Sequence, residues 1–248
     1  MADRPVIEVP TPAGGWHAPW PNVAEIEAAF PHQKWTLVGG LMSQLHAIRH
    51  GLDAVRPTSD VDIALHIETT PGVAASSARA FEMLGYELAP SLGRHQVAHR
   101  FVRDAATIDV VVADHAAPRA RQKLRGHPMV AIDGGTQALK RTVIARLDIV
   151  RGRTTTLSVP SAFGAVVLKS AAYKADSRDK RRHLADAAVL LSVIEDPYAE
   201  RATLAGSDRS RLLTLRRALP DDAAEWRVLS ADRQVSGKTA LRILTADL

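Results

Sequence analysis

The chain has 248 residues, 46% of them hydrophobic and 24% charged, a balance ordinary for a soluble globular protein with one large or two small domains. It has no cysteine, which excludes disulfides and thiolate metal sites and fits a reducing, cytoplasmic setting. No apolar run is long enough to span a bilayer, so no membrane partner is expected. The opening MADRPVIEVPTP has acids and prolines where a signal peptide has an apolar core. A net charge of +5 and a pI near 9.8 permit an acidic partner such as RNA or a nucleotide without demanding one.

Residues 1 to 20 are rich in proline and glycine and read as irregular. Asn22 with Glu25 three residues on suggests a capping box opening a helix to Phe30. WTLV (35–38) reads as a short strand ended by Gly39-Gly40. LMSQLHAIRH then has helical spacing, with Gly51 closing the helix. VDIALHI (61–67) is the next strand. Thr70-Pro71 offers an N-cap and an N1 proline for a helix running to about Leu84, stopped by Gly85. Two antiparallel strands follow, at 95–103 and 107–113, turning at Arg103-Asp104. After a basic loop at 115–127, residues 136–159 alternate like a hairpin turning at Arg151-Gly152. Pro160 breaks that pattern and Ser161 caps the first of several helices, at about 161–176, 178–195, 208–218 and 236–246. The fold class is therefore α+β: a mixed sheet with flanking helices over 1–158, then a helical part over 159–248.

RPTSDVDIAL (56–65) carries the first chemical signal. Alternate strand residues share a face, so Val61, Ile63 and Leu65 face the core while Asp60 and Asp62 lie side by side on the other face. Two unit charges about 4 Å apart repel by roughly 4 kcal/mol at an effective dielectric near 20. Water, a proton or a bridging cation can relieve that, and a hard divalent ion favours carboxylate oxygen. Gly39-Gly40 lies between a strand and a helix, where bare N–H groups and the helix dipole can hold a phosphate. Asp109, in TIDVVVAD, is a carboxylate inside an apolar strand that a neighbouring strand could bring beside Asp60 and Asp62. Asp114, at that strand's exit, competes for the role but reads better as a cap. Three converging carboxylates suit two metal ions and phosphoryl or nucleotidyl transfer, with Asp109 a candidate base for the acceptor hydroxyl.

Strand, Gly-Gly, helix, then R-x-T-x-D-x-D on the next strand and an Asp on a later one resembles the DNA polymerase β-type nucleotidyltransferase fold. VGGLMSQLHAIRHGLDAVRPTSDVDIAL is most similar to the branch containing the AbiEii and MenT toxins of toxin–antitoxin systems. LKSAAYKADSRDKRRHLADAAVLL (168–191) resembles that branch's lysine-bearing helix, charged turn and Asp-bearing helix. The similar segments cover 36–66, 107–113 and 160–192. Three features depart from the pattern: a longer gap between Gly40 and Asp60, Gly39-Gly40 with Ser43 a turn later in place of a glycine-serine pair, and Arg182-His183 where relatives carry Lys-Asp.

The resemblance implies a metal-dependent enzyme that moves an NMP from an NTP to a hydroxyl. Asp60, Asp62 and Asp109 would hold Mg²⁺ as two ions, with Mn²⁺ a substitute. Gly39, Gly40, Ser43, Arg56, Thr58, Lys169 and Asp186 would bind nucleotide. By helical spacing alone, Lys169 either snorkels to water or addresses an anion, and the resemblance implies a phosphate contact. Asp186 reads either as a local ion pair with Arg182 and His183 or as a site residue orienting Lys169 or the nucleotide. Arg56 could pair with phosphate or with Asp60. His46 reads as a packed or surface histidine, and His95 and His99 do not form a metal pair. The basic clusters at 119–125, 140–153 and 178–182, with the resemblance, suggest a tRNA 3′ end as acceptor and an antitoxin as partner. A small-molecule, antibiotic-type nucleotidyltransferase and a non-catalytic nucleotide-binding regulator are the alternatives.

Overall fold

The computed structural model describes residues 4–53, 56–89 and 99–246, and it is α+β. In chain order the elements are β1 (Val6–Val9), α1 (Trp20–Ala29), β2 (Trp35–Leu37), α2 (Gly39–Arg49), β3 (Asp60–Leu65), α3 (Val73–Met83), β4 (Glu87–Ala89), β5 (Arg100–Arg103) and β6 (Ala106–Ala113). Then come β7 (Lys123–Leu124), β8 (His127–Pro128), β9 (Val130–Ile132), α4 (Gly135–Lys140), β10 (Thr142–Val150) and β11 (Arg153–Pro160). The helices α5 (Ala162–Ala175), α6 (Lys180–Leu191), α7 (Pro197–Ala202), α8 (Asp208–Ala218) and α9 (Ala231–Leu244) complete the chain.

The main sheet has the order β2-β3-β6-β5-β4. β3 and β6 run parallel, with Asp62 directly opposite Asp109. β5 pairs antiparallel with the first half of β6, and β9 pairs parallel with its second half, so Asp109 lies where one neighbour gives way to the other. Val61, Ile63 and Leu65 are fully buried, as the alternation of β3 requires, and Asp60 and Asp62 take the opposite face. A second sheet, β1-β10-β11, contains the hairpin that turns at Arg151-Gly152. One hydrophobic cluster runs from Val9 to Leu244 and includes side chains from both sides of residue 158.

α2 is buried on almost every side, including Leu41, Met42, Leu45 and His46. His46 donates from Nε2 to the Pro160 carbonyl at 2.8 Å, and burial pushes its imidazole down to about 4, so it is a neutral packing residue. α5 starts as expected: the Ser161 hydroxyl accepts from the Gly164 N–H at 3.2 Å, immediately after Pro160 ends β11. α5 packs on α6, and α6 on α2 and α9, which brings the helical part against the sheet.

Several local expectations are corrected. α1 begins at Trp20 with prolines on either side of it, and no capping box forms. Asn22 instead donates to the Tyr86 hydroxyl at 3.0 Å, and Glu25 pairs with Arg103. Thr70-Pro71 does not open α3, whose N-cap is Gly72 at φ 72°. The Ala74 N–H is met by the Gln122 side chain, 48 residues away. Residues 135–140 form α4 rather than hairpin, and the last helix starts at Ala231 rather than 236. Val6–Val9, expected irregular, is a strand because it finds a parallel partner in β10. The basic loop contains the small β7–β8 hairpin. Only residues 99–103 of the expected 95–103 strand lie within the described residues, and His95 lies outside them.

Ser161→Ala should lower stability by about 1 kcal/mol, read as a shift in the urea midpoint with an unchanged slope. An unchanged midpoint would show that Ser161 is not capping α5.

Candidate functional site

Strand geometry sets the centre of the site. Parallel pairing puts Asp62 beside Asp109 on one face, and Asp60 lies two residues before Asp62 on that same face. α2 begins directly above, and Val38 at its N-cap has no side chain able to accept a hydrogen bond. The Asp62 carboxylate instead packs against the Gly39-Gly40 bend, where the Gly40 N–H favours its charged form. The glycine bend fits closely around this contact. Gly39 has φ 69°, and a methyl group there would overlap the Asp62 carboxylate. A methyl on Gly40 would lie 2.8 Å from Thr58 Oγ1. Ser43 is one turn further along α2, buried, and its hydroxyl has no hydrogen-bond partner among the described residues.

Asp62 is partly buried, and its carboxyl is pushed up to about 6. Burial is the main cause, followed by repulsion from Asp109; Lys169 and the Gly40 N–H act in the opposite direction. Asp109 is compensated differently. Arg100 donates from Nε and Nη2 to its two oxygens at 2.8 and 2.7 Å, a bidentate pair between opposite residues of β5 and β6. Among the described residues Asp60 accepts one hydrogen bond, from the neighbouring Ser59 hydroxyl at 2.9 Å.

The helical part forms the opposite wall. Lys169 is 4% exposed, and its ammonium donates to Asp186 at 2.6 Å. Arg56 reaches the same carboxylate at 3.3 and 3.4 Å. Asp186 therefore pairs with Lys169 and Arg56 rather than with Arg182 and His183, and Arg56 pairs with Asp186 rather than with Asp60. An ammonium has three donors, so Lys169 keeps capacity for a ligand.

Between the walls lies a cleft of about 580 Å³ lined by Gly39, Met42, Asp62, Val111, Ile132, Leu168, Lys169, Arg178, Arg182 and His183, among others. Its floor is apolar, and its charged lining is mixed, with Asp62, Asp133 and Asp176 beside Lys169, Arg178 and Arg182. At the rim Asp176 accepts from the Arg178 backbone N–H at 2.7 Å and pairs with His183 and Arg182 at 3.0 and 2.9 Å. The Arg178 bond and then the His183 bond hold its carboxyl well below the usual range.

All the nucleotide-site residues expected from the sequence thus lie in two groups. Gly39, Gly40, Ser43, Thr58, Asp60, Asp62 and Asp109 belong to the sheet side, and Arg56, Lys169 and Asp186 to the helix side; of these Gly39, Asp62 and Lys169 line the cleft itself. The expected three-carboxylate metal cluster is not ready-made: among the described residues no group of three or more His, Asp or Glu is arranged to hold an ion. Arg100 engages both oxygens of Asp109, leaving one lone pair on each. The remaining donors, Asp60 and Asp62, are hard oxygens with excess negative charge and fit one hard divalent ion.

Sequence reasoning missed Arg100, Asp176 and the apolar floor. Arg100 was within reach. A two-residue turn at Asp104-Ala105 sets Arg103 opposite Ala106, and three steps back along each strand set Arg100 opposite Asp109. Comparison of the chain with protein-family models, curated proteins and solved structures gives no match.

Two outcomes follow from these charges. The folded Asp62 carboxyl titrates near 6 against an ordinary 3.8, so folding favours its protonated form. That contribution is fully present below about 3.8 and is lost as pH rises to about 6. Asp62→Asn should therefore raise stability at pH 7.5 by about 1–3 kcal/mol and hardly change it at pH 3.5. Thermal melts at the two pH values check this, and equal effects at both would contradict it. Lys169→Ala should destabilise the fold by about 3 kcal/mol by leaving Asp186 buried with only Arg56. In denaturant titrations Lys169→Ala with Asp186→Ala should cost less than the sum of the single changes; strict additivity would show that the two are not coupled.

Proposed function

We propose that the chain is a nucleotidyltransferase, transferring an NMP from an NTP to a hydroxyl acceptor with Mg²⁺ as its metal. The observation that carries this reading is a single cleft with Asp62 and the Gly39-Gly40 bend on one wall and the Lys169 ammonium on the other. The Asp62 carboxylate facing a buried lysine across a space of about 580 Å³ suits a metal-bound ligand that is anionic at one end and flat and apolar at the other, as an NTP is.

In this reading Lys169 donates to the phosphates, and Asp186 and Arg56 fix its position. The glycine bend seats Asp62 against the start of α2, so that a metal ion it holds would lie next to the phosphates. Met42, Val111, Ile132 and Leu168 offer an apolar floor for the base, and Arg178 and Arg182 draw polyanions to the mouth. Asp60 and Asp62 would hold Mg²⁺, which when bound offsets phosphate charge and polarises the α-phosphorus. The acceptor oxygen forms a bond to the α-phosphorus as the bond to the bridging oxygen breaks. Pyrophosphate leaves, and the hydroxyl proton passes to a carboxylate of the aspartate cluster. The exposed Arg119, Arg121 and Lys123 support an RNA acceptor such as a tRNA 3′ end. A tRNA-modifying activity of this kind would make the chain the toxin of a pair neutralised by an antitoxin protein.

Purified protein, α-labelled NTPs, Mg²⁺ and total tRNA should give labelled RNA, and Asp62→Ala should reduce the label by about 10²-fold or more. Label on small hydroxyl compounds alone would favour a small-molecule transferase. No transfer to any acceptor would overturn catalysis. One observation favours a second reading: the hold of Arg100 on Asp109 suits a protein that binds nucleotide without turnover. NTP binding by calorimetry with no labelled product would select it.

A further inference from the structure

The aspartate cluster already contains a cation. Asp60, Asp62 and Asp109 bring three negative charges to one face of two paired strands. Arg100 is presented to that face from the other neighbour of β6, directly opposite Asp109. Its guanidinium meets both Asp109 oxygens in parallel, at 2.8 and 2.7 Å, the geometry in which arginine binds carboxylate best. The Asp109 side chain is 13% exposed and the Arg100 side chain 43%, so the carboxylate is shielded from water while the guanidinium borders it. The same guanidinium lies in the fields of Asp60 and Asp62.

We infer that Arg100 supplies, as a side chain, the positive charge that a second metal ion would otherwise bring to Asp109, so that the chain takes one divalent ion rather than two. The inference rests on the proposed reading of the aspartates as a metal site. Three carboxylates and one guanidinium leave two negative charges, which one divalent ion balances. The Lys169–Asp186–Arg56 group is counted apart: its one carboxylate meets two cations, and the positive charge left over is available to an anionic ligand. With Asp109 held, the donors left for an ion are Asp60 and Asp62. Arg100 is thus a positioning residue. It fixes Asp109, sets the number of ions and confines the ion to the Asp60–Asp62 side. Lysine at this position would keep the charge but lose the two-point grip.

Mn²⁺ binding tests this without reference to turnover. The free ion is counted by electron paramagnetic resonance during titration of the full chain, alone and with each of the four non-hydrolysable NTP analogues. Protein-free titrations of each analogue give the Mn²⁺ that the nucleotide itself holds. The wild-type chain should hold one ion in the best-binding complex, and Asp60→Asn should weaken that ion. Arg100→Gln should hold two, with total affinity for Mn²⁺ raised about tenfold. Arg100→Lys should still hold one, which controls for a folding defect in the glutamine variant. Two ions in the wild type, or one ion in both the wild type and a folded Arg100→Gln, would overturn the inference and leave the metal site standing. No Mn²⁺ on any variant would overturn both the inference and the proposed metal-dependent chemistry.

Discussion

The pairing of β3 with β6 imposes like-charge crowding on this molecule. Hydrogen bonding of two parallel strands fixes which residues are neighbours, and here it makes Asp62 and Asp109 neighbours with Asp60 close by. The apolar faces of both strands are committed to the core, so no slip of register can relieve the repulsion without burying carboxylates in place of valine and isoleucine. The fold accommodates the charge piecemeal. The start of α2 packs against one carboxylate, Arg100 holds another, and Asp60 accepts from the Ser59 hydroxyl. A cluster with excess negative charge after this much compensation is suited to accept a cation.

The second half of the chain completes the cleft through a buried ion triad. Lys169 is brought in by the small-residue face of α5 and is held by Asp186 of α6, which Arg56 bridges back to the loop just before β3. This links the two walls: the loop leading to the aspartates is anchored on the helix that positions the lysine. A buried lysine–aspartate pair is not needed for stability, since well-packed apolar residues commonly do as well. Its expense is intelligible if the lysine has a task at the cleft.

Much of this was legible in the sequence because it is written in local patterns. The alternation of Val61, Ile63 and Leu65 fixed the face of the aspartates, Ser161 after Pro160 marked the change to helices, and Asp208–Ala218 was bounded correctly. What was not legible depends on distant partners. VIEV is too short to declare itself a strand until β10 lies beside it. α3 is capped by Gln122 from a remote loop, so the local Thr70-Pro71 signal misled. The partners of Asp186 are 17 and 130 residues away, whereas helical spacing offered only Arg182 and His183. Arg100 is the intermediate case, since hairpin register does reveal it.

The central claim is that the aspartate cluster and Lys169 flank one metal–nucleotide site. Anomalous diffraction from crystals grown with Mn²⁺ and a non-hydrolysable NTP tests it most directly. The expected result is a manganese peak bound by Asp60 and Asp62, with the triphosphate reaching toward Lys169 and the start of α2. Nucleotide density elsewhere on the surface, or a cleft with nucleotide but no manganese at the aspartates, would contradict it.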